Sequence, residues 1–185
     1  MRKYKEYTHK FEVHQGLQIQ HPPDIDKGIS ISGPLGEIVM SLPANFFAKT
    51  LGGTCFVVMI SPKSEKGSVS KFKTIIRGIH NCITGVTSGY LRELQLVGLG
   101  YRITQYNNTC LRLKLGKTHE DYVKHTHPYV YISNKYISIY GINKDEVCKT
   151  QAHIQEVGGV DVYKGKGIRV ANSLPKLKAG KRNAK

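Results

Sequence analysis

The rhythm of apolar and polar residues changes several times along this chain, and each change predicts an element. Ile29 and Ile31 alternate with Ser30 and Ser32. Gly33-Pro34-Leu35-Gly36 then supplies a turn and Glu37-Ile38-Val39-Met40 resumes extended backbone, so the stretch predicts a β-hairpin. Cys55-Phe56-Val57-Val58-Met59-Ile60 is continuously apolar and short, which predicts a buried strand. From Ser70 the period lengthens. Phe72, Ile75, Ile79, Ile83 and Val86 recur every three or four residues and predict one face of a helix, with Lys71, Lys73, Arg77 and Asn81 elsewhere on it. Leu94 to Arg102 reads as one strand interrupted by glycines, followed by a turn at Asn107-Asn108. Leu111, Leu113 and Leu115 alternate with Arg112 and Lys114 in the next strand. Val130 with Ile132 and Ile137 with Ile139 predict two more, around Asn134-Lys135. Asn143 and Glu146 open a last helix in the manner of a capping box, and Gly158-Gly159 stops it.

The order of elements repeats: strands around a glycine turn, another strand, one helix. This predicts an α+β fold of two similar domains, each a small, mainly antiparallel sheet packed with one main helix. The boundaries read as an N-terminal arm over 1–23, domains over 24–88 and 89–170, and a basic tail over 171–185. The arm, which mixes His, Lys and Tyr, is expected to be extended.

Charge narrows the function. The chain has 185 residues and a formal net charge of +15, which points to a polyanionic partner. No amphipathic basic helix with bulky apolar anchors and no spanning apolar run is evident, so nucleic acid is favoured over membrane. Met1-Arg2-Lys3-Tyr4-Lys5 is basic without a following apolar core, so no secretory signal is expected. Cys55, Cys82, Cys110 and Cys148 are far apart. They are expected to be four buried thiols of a reducing compartment.

The basic residues are densest near the end. From Asp161 to Lys185 there are eight Lys or Arg against one acid, Asp161 itself. Tyr163-Lys164-Gly165-Lys166-Gly167-Ile168-Arg169 reads as a shaped loop that can follow a phosphate backbone, with glycines that let backbone N–H groups approach. Lys176, Lys178, Lys181 and Arg182 extend the strip. Cations of this kind meet phosphates, which position a protein without reading sequence; recognition then rests on RNA shape. Arg169 can fork onto one phosphate, and Tyr163 either stacks on a nucleotide or packs on the domain edge. About six phosphate contacts would give a salt slope of roughly −4 to −5. Lys71, Lys73 and Arg77 read as a solvated helix face.

Four segments occur together in one order and spacing: Leu94 to Arg102, Leu113-Lys114-Leu115-Gly116-Lys117-Thr118-His119, Gly141-Ile142-Asn143-Lys144, and Tyr163 to Arg169. Gly85-Val86-Thr87-Ser88-Gly89-Tyr90 and the Gly33–Gly36 turn fit the same pattern. On these residues the chain resembles the large-subunit ribosomal protein six family, of bacterial or organellar type, over about 26–182. The resemblance implies a structural protein without enzymatic activity or cofactor. It would bind large-subunit rRNA chiefly through its C-terminal domain and tail, among neighbouring ribosomal proteins and close to where translational GTPases dock. The site residues it carries over are Tyr163, Lys164, Gly165, Lys166, Gly167, Arg169, Lys176, Lys178, Lys181 and Arg182. Family members usually have arginines and a Pro-Glu-Pro-like segment before the Tyr-Lys-Gly motif, where this chain has Gln155 to Val162. Such drift, with abundant Ile, Lys, Tyr and Asn, leans toward a mitochondrial ribosome in the matrix, with a bacterial cytoplasm or plastid as alternatives. A free-standing RNA- or DNA-binding module is the competing function.

Other constellations carry less. His119-Glu120-Asp121 with His125 and His127 matches no closed metal-ligand spacing. Gly165-Lys166-Gly167 lacks the G-x-x-x-x-G-K-[ST] frame of a Walker loop. No Ser-His-Asp or Cys-His set is indicated, and the thirteen acids show no conspicuous pair for acid–base work.

Overall fold

The computed structural model describes residues 4–12, 16–20, 28–51, 53–62, 67–125 and 129–180. The chain divides into two units, Met1–Gly89 and Tyr90–Lys185. Each is an α+β assembly of antiparallel strands with one long helix, as the repeated element order predicts.

The first unit contains β1 (Tyr4–Glu12), β2 (Gln18–Gln20), β3 (Gly28–Gly33), β4 (Gly36–Ser41), β5 (Phe46–Leu51), β6 (Thr54–Pro62) and α1 (Ser68–Thr87). The alternating Ile and Ser residues form the β3–β4 hairpin, with Ile31 opposite Ile38 and Gly33 opposite Gly36. Ile29 and Ile31 are fully buried, each contributing about 1.5–3 kcal/mol. The hairpin turn docks on the end of α1, where Leu35 N–H donates to the Val86 carbonyl at 3.1 Å. A Cβ on Gly33 would lie 2.8 Å from Val86 Cγ2, so only glycine permits that approach. The apolar run becomes β6, which pairs with β5 on one side and with β1 on the other. Residues 4–12, within the stretch expected to be an extended arm, are extended and paired along all of β6. Helix α1 begins at Ser68 and buries Ile79 and Val86, while Phe72 stacks on Phe46 at 6.2 Å.

The expectation of four buried thiols needs correction. Cys55 is buried, whereas Cys82, Cys110 and Cys148 are partly exposed. Cys110 opens the strand Cys110–Lys114, and Cys82 and Cys148 lie within α1 and the helix Lys144–Val157, where apolar neighbours in sequence do not guarantee cover. Burial pushes the Cys55 thiol pKa up.

The second unit contains β7 (Tyr90–Val97), β8 (Arg102–Asn107), β9 (Cys110–Lys114), β10 (Asp121–Lys124), β11 (Tyr129–Ser133), β12 (Tyr136–Gly141), α2 (Lys144–Val157) and β13 (Gly167–Val170). The stretch 94–102, expected as one interrupted strand, is two. The chain turns between β7 and β8, with Gly98 at φ 152° and Gly100 at φ 76°. Strands β11-β12-β7-β13 form a four-stranded antiparallel sheet, and β10-β9-β8 a three-stranded one. Leu94, Leu111, Leu113, Ile137, Ile139, Val147, Ile154 and Ile168 meet in one core. At the start of α2 the Asn143 side chain accepts from the Asp145 N–H at 3.0 Å and donates to Glu146 Oε1 at 3.2 Å, a cap closed partly between side chains.

Candidate nucleic-acid interface

The Tyr-Lys-Gly-Lys-Gly segment is a tight turn whose shape is set by one acid and two glycines. The Asp161 carboxylate accepts from the N–H of Tyr163 at 3.0 Å and of Lys164 at 3.2 Å. Its carbonyl accepts from Gly165 N–H at 2.8 Å, and its own N–H donates to the Lys166 carbonyl at 2.8 Å. The lone acid of the basic segment is therefore the internal cap of the loop. Gly165 takes the left-handed φ of 68°, and a Cβ there would touch Leu177 Cδ2 at 3.4 Å. Gly167 crosses directly over the 158–160 backbone as β13 begins, where Ile168 N–H donates to the Gly158 carbonyl at 2.8 Å. The basic tail folds back over the turn: Lys178 N–H donates to the Val162 carbonyl at 2.9 Å.

Both loop glycines are buried, and the Gly165 N–H is used within the turn. Their part is to shape the backbone that carries Tyr163, Lys164 and Lys166, all three exposed.

Lys164, Lys166 and Arg169 face a concavity of about 1110 Å³ at one end of the four-stranded sheet. Its walls come from the end of β7 (Gln95 to Val97), the turn after it (Gly98, Leu99, Tyr101), the start of β8 (Arg102 to Thr104), the β11–β12 turn (Asn134, Lys135) and the capped loop. Arg102 and Lys135 join the three cations, and among the described residues no acid lines the cleft. Five positive charges on concave, partly apolar walls concentrate the field and draw in polyanions. Arg169 is fixed in place, its Nε and Nη2 donating to Gln95 Oε1 at 3.1 and 2.9 Å. Gln95 in turn donates to the Tyr136 hydroxyl at 3.4 Å.

Of the residues expected from sequence, Lys164, Lys166 and Arg169 come together in this cleft. Tyr163 is on the outside of the turn, and Lys176 and Lys178 are exposed along the tail. Lys181 and Arg182 lie outside the described residues. Arg102 and Lys135 were not anticipated. Each is a single cation beside a turn, and only the pairing of β7 with both β12 and β13 brings those turns to Lys164.

The His119-Glu120-Asp121 loop is occupied by ion pairs. Arg112 Nε and Nη2 clamp the Glu120 carboxylate at 2.6 and 2.5 Å, and Lys117 Nζ meets Asp121 Oδ2 at 2.9 Å. The hydrogen bond from Arg112 holds the Glu120 carboxyl below its ordinary pKa. His125 is buried and His127 lies outside the described residues. Among the described residues no group of three His, Cys, Asp or Glu could hold a metal ion, and no helix is long and apolar enough to cross a membrane.

Comparison with known proteins yields relatives over most of the chain. The large ribosomal subunit protein uL6 of Streptococcus equi subsp. zooepidemicus (strain MGCS10565) is 32% identical over 158 residues, 84% of this chain and 87% of that protein. The protein of the same name from Streptococcus pyogenes (strain Manfredo) is 33% identical over 155 residues, 83% of this chain and 85% of that protein. No family model matches the chain.

Proposed function

The chain belongs to the uL6 family of large ribosomal subunit proteins, and from that premise we propose that it is a structural constituent of the large subunit that holds rRNA in the cleft of its second unit. It is not an enzyme: its relatives are structural ribosomal proteins. The observation that carries the reading is the set of five cations, Arg102, Lys135, Lys164, Lys166 and Arg169, around one concave surface that no acid among the described residues lines. Lys164 and Lys166 neutralise backbone phosphates. Arg169, with its Nε–Nη2 edge taken by Gln95, offers its remaining guanidinium edge. Contacts of this type register the protein on a folded RNA by contour and charge. The exposed tail cations Lys176 and Lys178 lengthen the track, because the tail is tied to the loop at Val162.

The resemblance on Tyr163–Arg169 supports two finer readings: a site close to where translational GTPases dock, and neighbours among the large-subunit proteins. The relatives are bacterial. The Ile, Lys, Tyr and Asn content and the altered segment 155–162 favour a mitochondrial ribosome in the matrix over a bacterial cytoplasm. Cell fractionation of the tagged chain decides between them.

The test of the main reading is co-sedimentation with large subunits in a sucrose gradient at moderate salt, with filter binding to large-subunit rRNA across a salt series. Lys164→Ala/Lys166→Ala should reduce the magnitude of the salt slope by about 1.4–1.8. An unchanged slope, or a signal confined to the light fractions, overturns the reading.

A further inference from the structure

The four-stranded sheet has a second face, turned away from its core, and that face is aromatic. The register puts Tyr129, Tyr140 and Leu91 in one row, Tyr131, Ser138 and Glu93 in the next, and Ser133, Tyr136, Gln95 and Arg169 in a third. The alternate residues Val130, Ile132, Ile137, Ile139, Leu94 and Ile168 belong to or pack on the core, which fixes the tyrosines on the opposite side. Tyr129 is 79% exposed and Tyr131 70%, so no other part of the described chain covers them.

Chain stability does not account for such a surface. Two tyrosines this open contribute little to folding, and a tyrosine-bearing sheet beside a cation cluster is suited to unstacked bases. Every base has a π-face, a flat strand pair presents rings at a regular spacing, and the cations beside them take the phosphates. Two features here favour RNA over a protein partner. The tyrosine face runs without a break into the basic cleft: Gln95 accepts from Arg169 on one side and donates to the Tyr136 hydroxyl on the other. On that face Arg169, with Lys135 at the adjoining turn, outnumbers the one acid of the four strands, Glu93; Arg92, opposite Ile139, belongs to the other face.

We infer that the outer face of the β11-β12-β7-β13 sheet is a stacking platform on which Tyr129, Tyr131 and Tyr136 receive unpaired bases of the RNA whose phosphates occupy the neighbouring cleft. The inference rests on the rRNA-binding reading above, and the test separates the two. The full chain is titrated with a single-stranded uridine dodecamer and with an abasic ribose-phosphate strand of the same length. Cleft binding alone treats both alike, whereas the platform senses only the first.

The uridine strand should bind at least about tenfold more tightly. Tyr129→Leu/Tyr131→Leu should remove most of that difference and leave abasic binding unchanged, while Tyr129→Phe/Tyr131→Phe should keep it, with equal melting curves confirming the fold. Equal binding of the two strands to the unaltered chain overturns the platform and leaves the cleft standing. Failure of both strands to bind overturns both readings. Leucine variants that bind uridine normally but fail to enter large subunits identify the face as a protein-docking surface and also overturn the platform.

Discussion

Gly167 is the position at which a single added carbon should do most damage. A Cβ there would lie 2.6 Å from the Gly159 carbonyl oxygen, 2.7 Å from Val160 Cα and 2.9 Å from the Gly158 carbonyl oxygen. All three are backbone atoms, so no rotamer change relieves the overlap. Pushing the two segments apart also stretches the bond from Ile168 N–H to the Gly158 carbonyl, now 2.8 Å. Overpacking of this kind costs about 1–3 kcal/mol. The φ of 141° adds strain for any residue with a side chain, about 1–3 kcal/mol more. Gly167→Ala should therefore destabilise the second unit by about 2–6 kcal/mol. For a unit of this size that lowers its melting temperature by at least about 8 °C. Gly159→Ala is the matched control. Nothing lies within 4 Å of its added Cβ and its φ is not left-handed, so its effect should stay within about 0.5 kcal/mol. Scanning calorimetry of the two variants makes the comparison. Equal melting temperatures would refute the claim that the loop is shaped by contact with the 158–160 backbone.

Two further outcomes follow from named contacts. Gln95→Leu removes the acceptor that holds the Arg169 guanidinium while keeping every charge, so rRNA affinity should fall severalfold in filter binding with the salt slope unchanged. Arg112→Ala should return Glu120, now held low by its hydrogen bond to Arg112, upward to the ordinary carboxylate range in an NMR titration. Because the folded carboxyl titrates below the unfolded one, the stability from this exposed pair is present above the unfolded pKa. It is lost as pH falls through the folded value, and the variant should lack that acid-side loss.

Local patterning was enough for the β3–β4 hairpin, β6 and both helices: burial alternates along β4 and β6 and steps by three or four along α2, while β3 buries Gly28 to Ile31 without a break. It was not enough for β1. Tyr4 to Glu12 buries a single residue, Phe11, and owes its extended shape to nine backbone partners on β6 rather than to its own pattern. Strand β10 is similar, with Val123 alone buried. The cleft divides in the same way. Lys164, Lys166 and Arg169 are neighbours in sequence and were legible as a basic run. Arg102 and Lys135 reach them only through strand pairing across long separations, which no local spacing reports. The role of Asp161 was also hidden: an acid in a basic strip reads as a charge defect until its carboxylate is seen to bind two N–H groups of the turn.

The closure of that turn has a consequence for divergence. Its bonds run through main-chain atoms and one carboxylate, so the side chains at 162, 163, 164 and 166 do not maintain its contour. Lineages can exchange those four residues, retuning grip strength or ionic sensitivity, while the scaffold beneath them is inherited unaltered. Mutational tolerance at the tip and intolerance at Asp161, Gly165 and Gly167 should then sit side by side within a seven-residue window.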